Sequence, residues 1–250
     1  MKMNKVRALV TGGASGMGTC FTEQFKAAGA QVVFCDVNVE GVNATQDALG
    51  VPGFVADVSD EEQVAALFEQ AAFAMGGPVN VLVNNAGIIR DGLLIKKDRE
   101  TGALKPFPKS KWDQVLAVNL TGPFLCMREL AHRAIESDVP AVCVNISSIS
   151  KAGARGQSNY AAAKAGLAAD TVVWAQELGR YGIRVGAVAP GFVRTPMVES
   201  VPAHVLEKLV KPVPLGRVGE PEEIWEAVRF IVSCEYFSGR VVEVDGGLRI

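Results

Sequence analysis

A chain of 250 residues, 49% hydrophobic and 21% charged, can bury a large core, and no Pro/Ser-rich linker, charge run or repeat divides it. One domain over residues 1–250 is therefore expected. A net charge of −2 with scattered Lys and Arg leaves no footprint for phosphate backbones or an anionic membrane, which excludes nucleic acid as an expected partner.

In chain order, β-branched runs at 6–11, 31–36, 53–56, 79–84, 141–147, 183–189 and 241–244 predict about seven strands, separated by longer Ala-rich amphipathic stretches. That alternation predicts an α/β fold: a doubly wound parallel sheet with helices on both faces, binding its ligand beyond the carboxyl ends of the strands. The N-terminal segment Met1 to Arg7 is too brief for a signal sequence, and no apolar stretch nears the roughly 18 residues of a membrane span, so a cytoplasmic protein without membrane contact is expected. Cys20, Cys35, Cys126, Cys143 and Cys234 are odd in number and lack a C-x-x-C pair, arguing against disulfides and zinc. With His132 and His204 the only histidines, and both read as ordinary polar residues on helices, no metal site is expected.

After the first run comes Thr11-Gly12-Gly13-Ala14-Ser15-Gly16-Met17-Gly18, followed by a predicted helix over 19–28. Glycines allow the tight turn and let backbone N–H groups approach a pyrophosphate at the helix N-terminus. Asp36 ends the second run about 20 residues on, where an acid can bind an adenosine ribose and repel a 2′-phosphate. Its alternative is a helix cap or turn, since Asn38 and a helical stretch follow. Ser15, with no Arg or Lys around it, supports NAD over NADP. Asp57-Val58 closes the third run and suits the adenine; Asp57 could equally cap the helix starting near Asp60.

The sharpest pattern is Tyr160-Ala161-Ala162-Ala163-Lys164, preceded by Ser147-Ser148 at a strand end. A spacing of four puts phenol and ammonium on one helix face. A phenol with an ordinary pKa of about 10 is a poor base at neutral pH, but an adjacent ammonium and a positive nicotinamide ring are expected to favour phenolate. A serine hydroxyl beside it can hold the substrate oxygen.

With these motifs, Asn84-Asn85-Ala86-Gly87, Asn119 in a predicted helix over 112–135, and Pro190-Gly191 with Thr195-Pro196, the whole chain resembles the short-chain dehydrogenase/reductase family in its single-domain, Rossmann-fold form. The resemblance implies that Tyr160 is the acid/base and that Lys164 lowers its pKa and binds the nicotinamide ribose. Ser148 would orient the carbonyl, and Asn119 would hold a water relaying protons from Lys164. It further implies cofactor contacts at Gly12, Ser15, Gly16, Met17, Gly18, Asp36, Asp57, Val58, Asn85, Ala86, Gly87, Pro190, Gly191, Val193 and Thr195. The family's usual serine-to-tyrosine spacing selects Ser147, whereas alignment on 142–145 selects Ser148. The alignment is followed and Ser148 is chosen, with a one-residue shortening in 149–156; alternation along the strand sends the two serines to opposite faces, so only one can point at the substrate.

Against 3-oxoacyl reductases acting on carrier protein, the chain carries acidic Glu136-Ser137-Asp138, which would repel an acidic carrier. A charged excursion over 96–105, turning at Thr101-Gly102, reads as a solvated surface hairpin. The apolar stretch 192–215, with Met197, Val198, Val201, Val205, Leu206 and Leu209, suits a cover over a hydrophobic alcohol or ketone. Helices over 112–135 and 160–179 resemble the family's subunit contact, implying a homotetramer, with a dimer as the alternative. An NAD(H)-dependent secondary alcohol dehydrogenase is the expected function. The alternatives are a 3-oxoacyl reductase or 3-hydroxyacyl-CoA dehydrogenase and, outside catalysis, an NAD-binding scaffold.

Overall fold

The computed structural model describes residues 1–199 and 203–248. The first half runs β1 (Arg7–Thr11), α1 (Gly16–Ala27), β2 (Gln31–Asp36), α2 (Val39–Leu49), β3 (Gly53–Val55), α3 (Glu61–Ala74) and β4 (Val81–Asn84). A hairpin of β5 (Ile95–Lys97) and β6 (Leu104–Pro106) leads into α4 (Lys109–Leu116), a π-helical turn at Ala117–Thr121, and α5 (Gly122–Glu136). Then follow β7 (Ala141–Ile146), α6 (Ser158–Leu178), β8 (Ile183–Pro190), α7 (Pro196–Glu199), α8 (Ala203–Val210), α9 (Pro221–Ser233) and β9 (Arg240–Val244).

Among the described residues, seven strands form one sheet in the order β3-β2-β1-β4-β7-β8-β9, and every pairing is parallel. This is the doubly wound α/β fold expected from the alternation. Strand residues divide between two cores by their pleat. Leu9, Val33 and Leu82 pack with Leu67, Phe68, Leu130 and Leu167 on one face. Val10, Phe34 and Val83 pack with Phe21, Phe25, Ile224 and Trp225 on the other. Both faces are buried, which is why the strands read as nearly unbroken apolar runs.

Several boundaries differ from expectation. The fourth strand starts at Val81; just before it, the Asn80 side chain braces the segment entering β1, accepting from Arg7 N at 2.7 Å and donating to the Lys5 carbonyl at 2.9 Å. The first helix starts at Gly16, inside the glycine loop, three residues earlier than expected. The helix expected over 112–135 is broken by the π turn. Pro123, one residue into α5, has no N–H and would crowd the carbonyl four residues back, at Asn119, in a regular helix; the wider turn accommodates it.

The excursion after β4 is the expected solvated hairpin. Its strands are exposed throughout, Lys96 lies opposite Lys105, and Asp98 Oδ1 accepts from Glu100 N and Thr101 N, each at 3.1 Å, to make the turn.

A buried polar chain crosses the sheet and was not foreseen. Asn84 Nδ2 donates to Asn145 Oδ1 at 2.9 Å, Asn145 Nδ2 donates to Thr171 Oγ1 at 2.9 Å, and Thr171 Oγ1 donates to the Leu167 carbonyl at 2.8 Å. It joins β4 and β7 to α6, and all three side chains are within 2% exposure, so no water can replace a lost partner. Thr171→Val preserves volume but leaves the Asn145 amide unsatisfied, and the expected cost is about 1–3 kcal/mol. Urea unfolding monitored by circular dichroism measures it; an unchanged midpoint would refute the network's contribution.

Candidate active site

Strands β1 and β4 are neighbours whose following segments leave in opposite directions, so a crevice opens at their carboxyl ends. A cleft of about 780 Å³ lies there, lined along its length by residues from the ends of β1, β2, β4, β7 and β8. Gly12, Ser15, Gly16, Met17, Asp36, Asp57 and Val58 line one end. Asn85, Ala86 and Gly87 line the middle, Ser148, Tyr160, Lys164, Pro190, Gly191 and Val193 the other end, and Thr195 stands against Gly16 of the glycine loop.

The glycine loop is held from below. Asn85 Nδ2 donates to the carbonyls of Thr11 and Gly12, both at 3.0 Å, and Thr11 Oγ1 accepts from the Asn85 and Ala86 amides at 3.1 and 3.0 Å. Gly18 does not line the cleft. A Cβ there would stand 2.0 Å from the Gly12 carbonyl oxygen, so its smallness serves the packing of the loop on itself. Ser15 is the N-cap of α1 but its side chain caps nothing, which leaves the first-turn amides of a helix pointing toward the cleft. Such uncapped amides at a helix N-terminus fit a pyrophosphate.

Asp36 and Asp57 are released from the alternative duty of capping. Asn38 caps α2 by accepting from Gly41 N at 3.2 Å, and Asp60 caps α3 by accepting from Glu62 N and Gln63 N, both at 3.0 Å. Asp36 instead accepts from Ala14 N of the glycine loop at 3.3 Å and from Asn38 N at 3.1 Å, facing the cleft beside Val37. Asp57 accepts from the amide and hydroxyl of Ser59 at 2.8 and 2.7 Å.

At the other end, Lys164 is only 3% exposed. Its Nζ donates to the Ile146 carbonyl at 2.7 Å, one residue past the end of the β4–β7 ladder, and lies 5.6 Å from the Tyr160 ring centroid. Burial pulls its pKa from 10.5 down to about 8. Tyr160 departs from expectation: its phenol is pushed above 10, not below. Burial is the largest cause, the neighbouring Asp91 carboxylate adds to it, and the hydrogen bond with Ser148 opposes it. The Lys164 ammonium, bound to a carbonyl and itself desolvated, does not reverse the shift.

The two serines part as alternation requires. Ser147 Oγ is buried and donates to the Lys164 carbonyl at 2.9 Å, whereas Ser148 is half-buried, faces Tyr160, and accepts from Ser150 N at 3.1 Å. Asn119 is fully buried and does not line the cleft. Its Oδ1 accepts from Ile88 N at 2.8 Å and its Nδ2 donates to the Ile88 carbonyl at 2.9 Å, bracing the wall after β4.

The substrate end has lining that sequence reasoning missed: Ile88, Ile89, Asp91, Ile149, Arg155 and Gln157. These lie outside the strands and α-helices, so no periodicity marks them. Of the expected cover, Val198 and Leu209 line the cleft with Phe192, while Val213 packs instead on Ile149 and Leu248. Val201 and the side chains of Met197 and Val205 lie outside the described residues. No described helix is long and apolar enough to cross a membrane.

A parallel sheet with a glycine-loop cleft and a Ser, Tyr and Lys group at its far end defines a dinucleotide-dependent oxidoreductase. A family model described as enoyl-(acyl carrier protein) reductase matches residues 12–249. The chain is 38% identical to a (3R)-3-hydroxyacyl-CoA dehydrogenase of Canis lupus familiaris, over 99% of this chain and 98% of that one. It is 39% identical to the 3-oxoacyl-(acyl-carrier-protein) reductase FabG of Thermotoga maritima over the whole of both. Among solved structures, levodione reductase superposes with a TM-score of 0.84 at 34% identity, covering 98% of this chain and 97% of the other.

The chain belongs to the short-chain dehydrogenase/reductase family, whose dehydrogenases use nicotinamide cofactors. It is an oxidoreductase of CH–OH groups, interconverting secondary alcohols and ketones.

The lowered pKa of Lys164 has a sign that can be checked. The unfolded chain holds this proton up to about 10.5 and the folded chain only to about 8, so between those values the unfolded state binds more protons and stability rises with pH. Relative to Lys164→Met, the wild type should gain on the order of 3 kcal/mol in unfolding free energy between pH 7 and 10.5. Urea titrations of both proteins across that range test it; parallel curves would show that the ammonium is not desolvated.

Proposed function

We propose that the protein is an NAD(H)-dependent secondary alcohol dehydrogenase/ketone reductase, one catalytic domain over residues 1–250, in which Tyr160 is the acid/base. The observation that carries this reading is the meeting of Ser148, Tyr160 and Lys164 at one end of a cleft whose other end offers helix amides and Asp36. A bound nicotinamide cofactor supplies the site that gives or takes hydride. The residues of this chain do the rest. Ser148 donates to the substrate oxygen, and Tyr160 gives a proton to that oxygen in reduction or takes one from the hydroxyl in oxidation. Lys164, one helical turn away, binds the nicotinamide ribose and favours phenolate. A raised phenol pKa holds the proton at neutral pH, the form that ketone reduction consumes.

Gly12, Ser15, Gly16 and Met17 would hold the pyrophosphate, with Gly18 shaping their turn. Asp57 and Val58 would take the adenine, and the backbone of Asn85 to Gly87 the nicotinamide-side ribose. Pro190, Gly191, Val193 and Thr195 would seat the carboxamide. Asn119 can hold a proton-relaying water only with the N–H and lone pairs that Ile88 leaves over.

Tyr160→Phe should abolish turnover in both directions, and Ser148→Ala should lose far more kcat than Ser147→Ala. In the wild type, kcat for alcohol oxidation should climb with pH through the alkaline range while reduction stays flat from pH 6 to 8, readable by nicotinamide absorbance. An active Tyr160→Phe protein would sink the mechanism, and tight NADH binding without turnover in any substrate panel would favour a scaffold.

NAD is proposed over NADP because Asp36 faces the adenosine end, whereas the cations lining the cleft among described residues, Arg155 and Lys164, belong to the opposite end. Asp36→Ala should raise the NADP-to-NAD ratio of kcat/KM at least tenfold, by relieving repulsion of a 2′-phosphate and losing the ribose contact. A wild-type preference for NADP refutes the assignment.

The apolar wall of Ile88, Ile89, Phe192, Val198 and Leu209 suits a hydrophobic ketone. The relatives' names favour a second reading, a 3-hydroxyacyl-CoA or 3-oxoacyl substrate. Exposed Phe124 and Ile135 on α5 and Val173 on α6 support a homotetramer, with a dimer as the alternative, and a cytoplasmic location is proposed.

A further inference from the structure

We propose that Asn159 is a positioning residue for Tyr160, fixing the first turn of α6 against two other segments so that the phenol stays in register with Ser148 and the substrate wall. The inference rests on the reading of Tyr160 as acid/base.

Asn159 is fully buried, and every hydrogen-bonding direction of its amide that the structure uses is spent on backbone. Its Oδ1 accepts from Tyr160 N at 2.8 Å, and its Nδ2 donates to the carbonyls of Arg90 at 3.2 Å and Lys111 at 3.1 Å. The first amides of a helix have no acceptor within the helix, and a side chain at the N-cap commonly supplies one. Here the N-cap residue, Gln157, caps nothing; its Nε2 donates to Asp91 Oδ2 at 2.9 Å instead. Asn159 therefore takes over the amide of Tyr160 from inside the turn.

The two carbonyls it grips come from different places. Arg90 precedes the β5–β6 hairpin on the substrate wall, and Lys111 lies in the first turn of α4, just beyond that hairpin. Gly92 N donating to the Gly156 carbonyl at 2.8 Å and the Gln157–Asp91 bond run beside these contacts. Hairpin base, α4 and the start of α6 are thereby one hydrogen-bonded unit with Tyr160 at its centre. The charged groups around the phenol are Lys164 from α6, Asp91 from the segment after β4, and Arg155 from the loop before α6, which lines the same cleft. Without Asn159 the Tyr160 amide loses its acceptor, the turn is cut from both carbonyls, and water reaches the phenol. A misplacement of about 1 Å at a reacting group can cost on the order of 100-fold in rate.

The test uses the full chain as wild type, Asn159→Ala and Asn159→Ser, the serine keeping a short acceptor should alanine not fold. Each is prepared with 3-fluorotyrosine, and the three tyrosine signals are separated by 19F NMR, with Tyr160→Phe as the assignment control. The expected result is a Tyr160 phenol that titrates lower in both variants than in the wild type. NADH-linked reduction of acetoacetyl-CoA should lose at least about tenfold in kcat in alanine and less in serine, with NADH affinity within threefold. An unchanged Tyr160 titration in a folded variant overturns the proposal, as does a kcat loss matched by equal loss of NADH affinity. If Tyr160→Phe retains turnover, the acid/base reading fails separately, and the fluorine titration still judges Asn159.

Discussion

An ammonium taken out of water and tied to a strand-end carbonyl is the interaction from which the site is built. Lys164 reaches the Ile146 carbonyl with its Nζ while its own carbonyl accepts from Ser147, so one residue is fixed at both ends to consecutive residues leaving β7. That fixes the rotation of α6. Tyr160 and Lys164, four apart, and Thr171, seven further on, then share a face toward the sheet. Desolvation of the ammonium opposes folding, and the Asn84–Asn145–Thr171 chain and the apolar contacts of Leu167 and Trp174 hold the helix down against it.

The cleft follows from the sheet. Parallel pairing buries both faces, so helices must cover both, and the order in which strands are added reverses between β1 and β4 to achieve it. The crevice left there is floored by a loop that only small residues can make. A side chain at Gly13 would strike Phe34, and one at Gly18 would strike the loop itself. The amides that could have been capped face the opening, and two carboxylates that could have capped helices are relieved by Asn38 and Asp60.

What was legible in the sequence was whatever repeats or clusters locally. Strand positions came from β-branched runs, the loop from its glycines, and the phenol–ammonium pair from a four-residue spacing. Ser148 is selected over Ser147 by the alignment on 142–145, since alternation says only that the two serines face opposite ways. What was not legible depends on groups far apart in the chain. The direction of the Tyr160 shift is set by burial and by Asp91, some 70 positions away, neither of which spacing encodes. Asn145 fell within a predicted strand and Asn159 within no motif; each is defined by partners on other elements. The π turn needed Pro123 to be read against the carbonyl of Asn119, a local clash that helical periodicity conceals.

The β5–β6 hairpin stands in solvent on its own ladder and its own Asp98 turn, while the residues flanking it are stitched to α4 and α6. Its tip thus carries no weight for the sheet, yet its stem shares backbone bonds with the helix that bears the phenol. Such an appendage can change at its tip, in reach or in charge, without unmaking the fold. Any tension arriving there, however, is delivered to the start of α6, so a peripheral ornament is also a handle on the chemistry.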